Sequence, residues 1–225
     1  MRTFETRAIE NIATAPATAG DRRWAGASAL AIVALFVVSI PFSRLRIGTV
    51  PAFVPTVVGA GVVALMLTTV LLYVQYRIER DLKLALLAIA YAFAALSQTL
   101  YVLTFPGVFS ETGLLGAGLQ TASWFYILSQ VGFGLLLIAV GFAARRGWRL
   151  SRNGVRMLGF GTLLATVGFA IVVTLGHDVI PAGNDGTAFT PFWTHVVAPI
   201  VAAEMLLAVF IVANGLQTVT QVWLG

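Results

Sequence analysis

The 225 residues are 59% hydrophobic and only 10% charged, with a mean hydropathy of +0.92. A water-soluble fold of this length has no interior large enough to hide that much apolar surface, so the chain is an integral membrane protein, all-α in class. The formal charge of +5 does not point to nucleic acid, because the arginines sit beside apolar runs, where they orient helices and meet anionic lipid. The absence of Cys excludes disulfides, thiolate metal sites, iron–sulfur clusters and cysteine nucleophiles.

Residues 1–23 form a polar N-terminal segment with Glu5, Glu10 and Asp21 ahead of the first apolar run. A cleaved signal peptide has a short basic start and a small-residue cleavage site, whereas this run leads into Pro41-Phe42-Ser43-Arg44. It reads as an uncleaved first transmembrane helix. Six runs are long enough to cross about 30 Å of hydrocarbon at about 1.5 Å per residue. They are Trp24–Phe42, Phe53–Tyr76, Leu82–Thr104, Gln120–Ala144, Val155–Leu175 and Phe192–Leu216. Together they predict a six-helix transmembrane domain over 24–216, followed by a short tail at 217–225.

Basic residues predict its orientation. Twelve of the fourteen Lys and Arg fall in the N-terminal segment and in the connections after the second and fourth runs. Only Arg44 and Arg46 fall on the other side. The positive-inside rule then puts both termini in the cytoplasm and leaves three connections outside: Ser43–Ala52, Phe105–Leu119 and Gly176–Pro191. The basic clusters serve topology and lipid headgroups, with a cytoplasmic site for an anionic messenger as the alternative.

Small residues mark where helices approach in lipid. The fourth run has Gly134 and Gly141, the fifth has Thr162, Thr166 and Ala170 with Gly161 and Ala165 beside them, and the sixth has Ala198 and Ala202. These rows predict a tight bundle, with a homodimer face on one of them. No inverted repeat relates the two halves, which weakens a transporter reading.

Four features hold the chemistry. Leu103–Tyr126 is rich in Gly, Thr and aromatics, with one carboxylate and no basic residue, where a plain hairpin needs only a few turn residues. Pro106-Gly107 stops the third helix, Gly113–Gly118 reads as a flexible apolar stretch on the outer leaflet, and Gln120-Thr121 opens the fourth helix. An aromatic belt accounts for Trp124 and Tyr126, while a cavity lined by Phe105, Gln120, Thr121, Trp124 and Tyr126 accounts for the whole mixture. Second, Glu204 lies about 18 Å into its run, near mid-bilayer, and is expected to be largely neutral. Gln98, Gln130, Asn214 and hydroxyls are its available partners, giving either an interhelical hydrogen bond or a proton-linked role. Third, His177, Asp178 and His195 flank an outside connection as weak metal candidates, in a spacing that matches no zinc pattern, so no metal or other cofactor is expected. Fourth, no phosphate-binding loop, nucleophile elbow or HExxH helix is present, and no enzyme activity is expected.

The segments LTFPGVF and TGLLGAGLQTASWFY, within Leu103–Tyr126, resemble the signature region of membrane-associated sensor domains of the MASE type, in particular their fourth class. Pro41–Thr56, with its Pro-x-Phe-x-Pro entry to the second helix, and Pro191–Val209 resemble the family's first outside connection and sixth span. The resemblance implies a sensory input module in a bacterial inner membrane, ahead of a cytoplasmic output domain. That domain is most often a diguanylate cyclase of cyclic di-GMP signalling, sometimes a histidine kinase. Family members continue with further spans, and Gln221–Gly225 looks like the opening of the next one, so the chain is read either as a fragment or as a short stand-alone relative, with any output domain or partner outside these residues. The chain is therefore read as a ligand-binding input module taking an unknown small or lipophilic ligand at the outer face. The alternatives are an accessory subunit of a larger membrane complex and, third, a proton-linked transporter or membrane enzyme using Glu204.

Overall fold

A computed structural model describes residues 19–44, 53–176, 179–183 and 189–222. All regular elements among them are helical. The chain divides into two compact units, Met1–Thr49 and Val50–Gly225. The first contains helix α1 (Ala19–Ser39), which tightens into a 3-10 turn over Ile40–Arg44. Pro41, which has no N–H to donate, sits in that turn.

The second unit contains α2 (Phe53–Glu79), α3 (Leu82–Leu103), α4 (Thr121–Arg146), α5 (Arg152–Leu175), and a π-helical turn Trp193–Val197 that runs into α6 (Ala198–Val222). Among the described residues five helices are long and apolar enough to cross a membrane: α2 to α5, and the Trp193–Ile211 stretch. The segment expected as a first span forms a shorter apolar helix, Gly26–Phe42. The last helix continues past Leu216 to Val222, through most of the stretch expected as a tail.

Two short connections fix helix directions. Arg80 takes a left-handed conformation (φ 59°), and Asp81 then caps α3 by accepting the Lys83 backbone amide at 2.9 Å while pairing with its ammonium at 3.1 Å. Gly147 (φ 59°) closes α4, and the Ser151 hydroxyl accepts the Gly154 amide at 3.1 Å to open α5.

Helix α3 is the centre of this unit and packs against α2, α4 and α5; α4 also packs against α6. Burial follows the same order: 44% of the most apolar window of α3 is buried, against 6% in α2. A cluster at one end joins Leu82 and Leu86 of α3 to Val140 and Ala143 of α4, with Val155 of α5. Another, at the far end, joins Tyr101 to Ala122 and Phe125, with Val58 and Phe169. The α2–α3 and α4–α5 turns therefore share one end, which has the arginines. Tyr101, Phe105, Phe125 and Tyr126 gather at the other.

The small-residue rows are partly where the sequence places them. Gly134 lies under Glu204 of α6, and Gly141 under Ile211, so α4 and α6 meet on glycine. Thr162, Thr166 and Ala170 face inward from α5, while Gly161 and Ala165 are exposed. Ala198 and Ala202 are also exposed; α6 instead buries Ala208 and Ile211. Apart from Glu204, residues 198–211 are uniformly apolar, so their small residues do not distinguish the lipid face from the packed one.

Candidate functional site: an aromatic cavity

The C-terminal end of α3 is shaped by hydrogen bonds from buried Thr104, whose hydroxyl donates to the Leu100 carbonyl at 2.7 Å. After Pro106, Gly107 takes φ 80° and its amide donates to Ser110 O at 2.9 Å. The chain then returns to the helix, where the Leu114 amide meets the Leu103 carbonyl at 2.9 Å. Gly113 (φ 97°) lies so close to the Thr104 carbonyl that a Cβ would collide with it. The stretch expected as a flexible flap is thus a series of tight turns, with Gly113, Ala117 and Gly118 buried and Leu114, Leu115 and Leu119 exposed.

This fold-back holds the Phe105 ring edge-on against Tyr101, with centroids 5.5 Å apart, and Tyr126 approaches the same tyrosine at 6.0 Å. Phe189 and Trp193 form a stacked pair at 6.2 Å. Between these groups lies a cavity of about 730 Å³. Gln120 and Ser123 add polar atoms to its wall, and among the described residues none that lines it is charged.

Three of the five sequence-chosen residues line this cavity: Phe105, Gln120 and Tyr126. Thr121 does not. It is fully buried, accepting the Gly118 amide at 3.0 Å and donating to the Val173 carbonyl of α5 at 3.3 Å. Trp124 does not line it either: its indole N–H donates to Pro181 O at 3.1 Å, and its ring meets Trp193 edge-on at 5.8 Å. Gln120 has a second task, because its carbonyl oxygen accepts the Gly183 amide at 2.7 Å. Gln120 and Trp124 together tie the 179–183 segment to the start of α4.

The polar residues inside the spans are arranged differently from the sequence expectation. Gln98 donates to the Ser129 hydroxyl at 3.1 Å, linking α3 to α4. The buried carboxyl of Glu204 lies over Gly134, and neither oxygen has a hydrogen-bond partner. The Leu135 backbone approaches it without normal hydrogen-bond geometry. Gln98 and Gln130 do not reach it, and the Asn214 side chain lies outside the described residues. His195 is exposed, with Nδ1 at 3.0 Å from the Pro191 carbonyl and 2.9 Å from the Thr194 hydroxyl. His177 and Asp178 lie outside the described residues, and among those described no cluster of His, Asp or Glu has the composition of a metal site.

One family model matches this chain over residues 48–225, and it describes MASE4, a membrane-associated sensor, integral membrane domain. The chain belongs to the MASE4 family. No curated protein and no solved structure matches it. The matched residues include every element that builds the cavity, so the aromatic chamber is a feature of the MASE4 domain itself. Sequence reading missed Phe189 and Trp193, which reach the cavity from a connection more than sixty residues after Gln120. It also missed Tyr101, whose position inside a continuous apolar run conceals that its ring lies between Phe105 and Tyr126. The signal for Trp193 was its place at a span boundary, which a membrane aromatic belt explains equally well.

Proposed function

We propose that this MASE4 domain is the sensory input module of a bacterial signalling system in the inner membrane, and that it reads a neutral, flat, lipophilic ligand in the aromatic cavity. The observation that supports this reading is the lining itself. Rings from α3, α4 and the connection before α6 line a space to which the described residues bring no charge and a few polar groups, among them Gln120 and Ser123. Such a lining rewards a planar apolar body with a hydrogen-bonding edge and penalises an ion. The distribution of basic residues supports an outward-facing cavity with both termini cytoplasmic. The domain has no catalytic role in this reading and works as a homodimer. A ligand that fits one helix arrangement better than another shifts the population toward it, and α6 passes the bias to a cyclic di-GMP or kinase output.

The test is titration of the purified domain in detergent with an organic extract of bacterial membranes, followed by tryptophan fluorescence. Trp193 lies on the cavity wall, so occupancy is expected to give a saturable change. The Phe105→Ala, Tyr126→Ala double variant should require about tenfold or more extract for the same change, as expected for loss of two aromatic contacts. A response unaltered in that variant overturns the assignment of the site.

A second reading has its own observation. The exposed apolar faces of α2, α5 and α6 accommodate a protein partner as well as lipid, which suits an accessory subunit of a larger complex. Stoichiometric recovery of another membrane protein in mild detergent would favour it.

A further inference from the structure

The arginine end of the same unit contains a second cavity, of about 340 Å³, between the C-terminal turn of α2 and the N-terminal turns of α3 and α5. Arg77, Arg80, Arg152 and Arg156 stand around it, and Tyr73 and Tyr76 complete the polar side. The floor is Ala85, Ala88, Ile89, Ala92 and Gly159. Among the described residues no carboxylate lines it. Glu79 and Asp81 flank Arg80 in sequence, but Asp81 is taken by Lys83 in the sole ion pair among the described residues. Arg77 leans on the Tyr73 ring at 5.9 Å, and Arg77, Arg80 and Arg156 all act electrostatically on the Tyr73 hydroxyl. Four arginines therefore line one recess in which no described residue supplies a carboxylate.

Orientation of helices requires positive charge near a span end, but it does not require the charges to surround an apolar hollow. Guanidinium forks match phosphate oxygens in pairs, and a smooth floor of Ala, Ile and Gly accepts methylene groups without offering a hydrogen bond. The exposed outer faces of α2 and α5 run from the rim along Val70, Val74 and Leu158, where acyl chains continue. We propose that this cavity binds the phosphate headgroup of an anionic phospholipid, seated on Arg77, Arg80, Arg152 and Arg156 with its first methylenes on the alanine floor. The site is separate from the aromatic cavity and does not depend on what that cavity binds.

Native mass spectrometry of the full chain in a neutral detergent tests the proposal, with dioleoyl phosphatidylglycerol and dioleoyl phosphatidylcholine as probes. Phosphatidylglycerol should be retained and phosphatidylcholine lost. An Arg77→Gln, Arg152→Gln double variant should weaken phosphatidylglycerol retention about tenfold or more. An Arg145→Gln, Arg149→Gln double variant loses the same charge at the same end but outside the cavity, and should retain the lipid. Equal loss in both variants overturns the site in favour of diffuse charge attraction, as does equal retention of the two lipids. Excess glycerol phosphate should leave the lipid bound, and displacement by it at equal concentration overturns a lipid as the occupant.

Discussion

Gln120 does two things with one amide: it faces the aromatic cavity and its carbonyl oxygen holds the Gly183 amide at 2.7 Å. Gln120→Ala removes that acceptor and is expected to destabilise the domain by about 1–2 kcal/mol, seen as a lower melting temperature and faster proteolysis near Gly183. Gln120→Glu keeps an acceptor in place and should restore the protease resistance, which separates the structural bond from any loss of ligand response. Gly183 itself is pressed against the Trp193 ring, where a Cβ would lie 2.6 Å from Cε2. Residue roles of this kind were only half legible in the sequence. The odd composition of Leu103–Tyr126 identified Phe105, Gln120 and Tyr126, because Gly, Gln and aromatics together exceed what a hairpin needs. It could not show that Thr121 faces α5 or that Trp124 hydrogen-bonds to Pro181, since both contacts join positions more than fifty residues apart.

At the scale of elements, the α4–α6 interface is decided by two glycines with different neighbours. A Cβ on Gly134 would meet the end of the Glu204 side chain at 2.9 Å, and that carboxyl can turn aside. A Cβ on Gly141 would collide with the Ile211 side chain and also press on its backbone carbonyl at 3.2 Å. Gly141→Ala is therefore expected to cost about 1–3 kcal/mol and Gly134→Ala distinctly less, measured by thermal unfolding in detergent. The reverse order would mean that α6 packs in another register. The spans were readable because about twenty apolar residues in a row have few alternatives. The packed faces were less so: Gly134 and Gly141 mark the face of α4 that meets α6 and Thr166 is buried on α5, while Ala198 and Ala202 are exposed within the single chain.

For the whole molecule, the absence of Cys makes orientation directly measurable. Single Ser110→Cys and Arg149→Cys variants place one thiol at each end of the Val50–Gly225 unit. In intact cells a membrane-impermeant maleimide should label the first and spare the second; the opposite pattern reverses the proposed topology. The arrangement of helices around α3 was not legible in the sequence. Every span is hydrophobic enough to serve as either a central or a peripheral helix, and only mutual contacts decide between them.

The central position of α3 also governs how the chain can be made. It has the lowest hydropathy of the five candidate spans and holds Ser97, Gln98 and Thr99 in a row. The Thr99 hydroxyl donates to the Ala95 carbonyl of its own helix, but lipid offers the Gln98 amide no partner. The connection from α2 is only Arg80 and Asp81, and the Ser129 hydroxyl that accepts the Gln98 amide N–H belongs to α4. An α2–α3 hairpin made before α4 is therefore expected to leave the Gln98 amide N–H facing lipid, and the arrival of Ser129 gives that donor its partner.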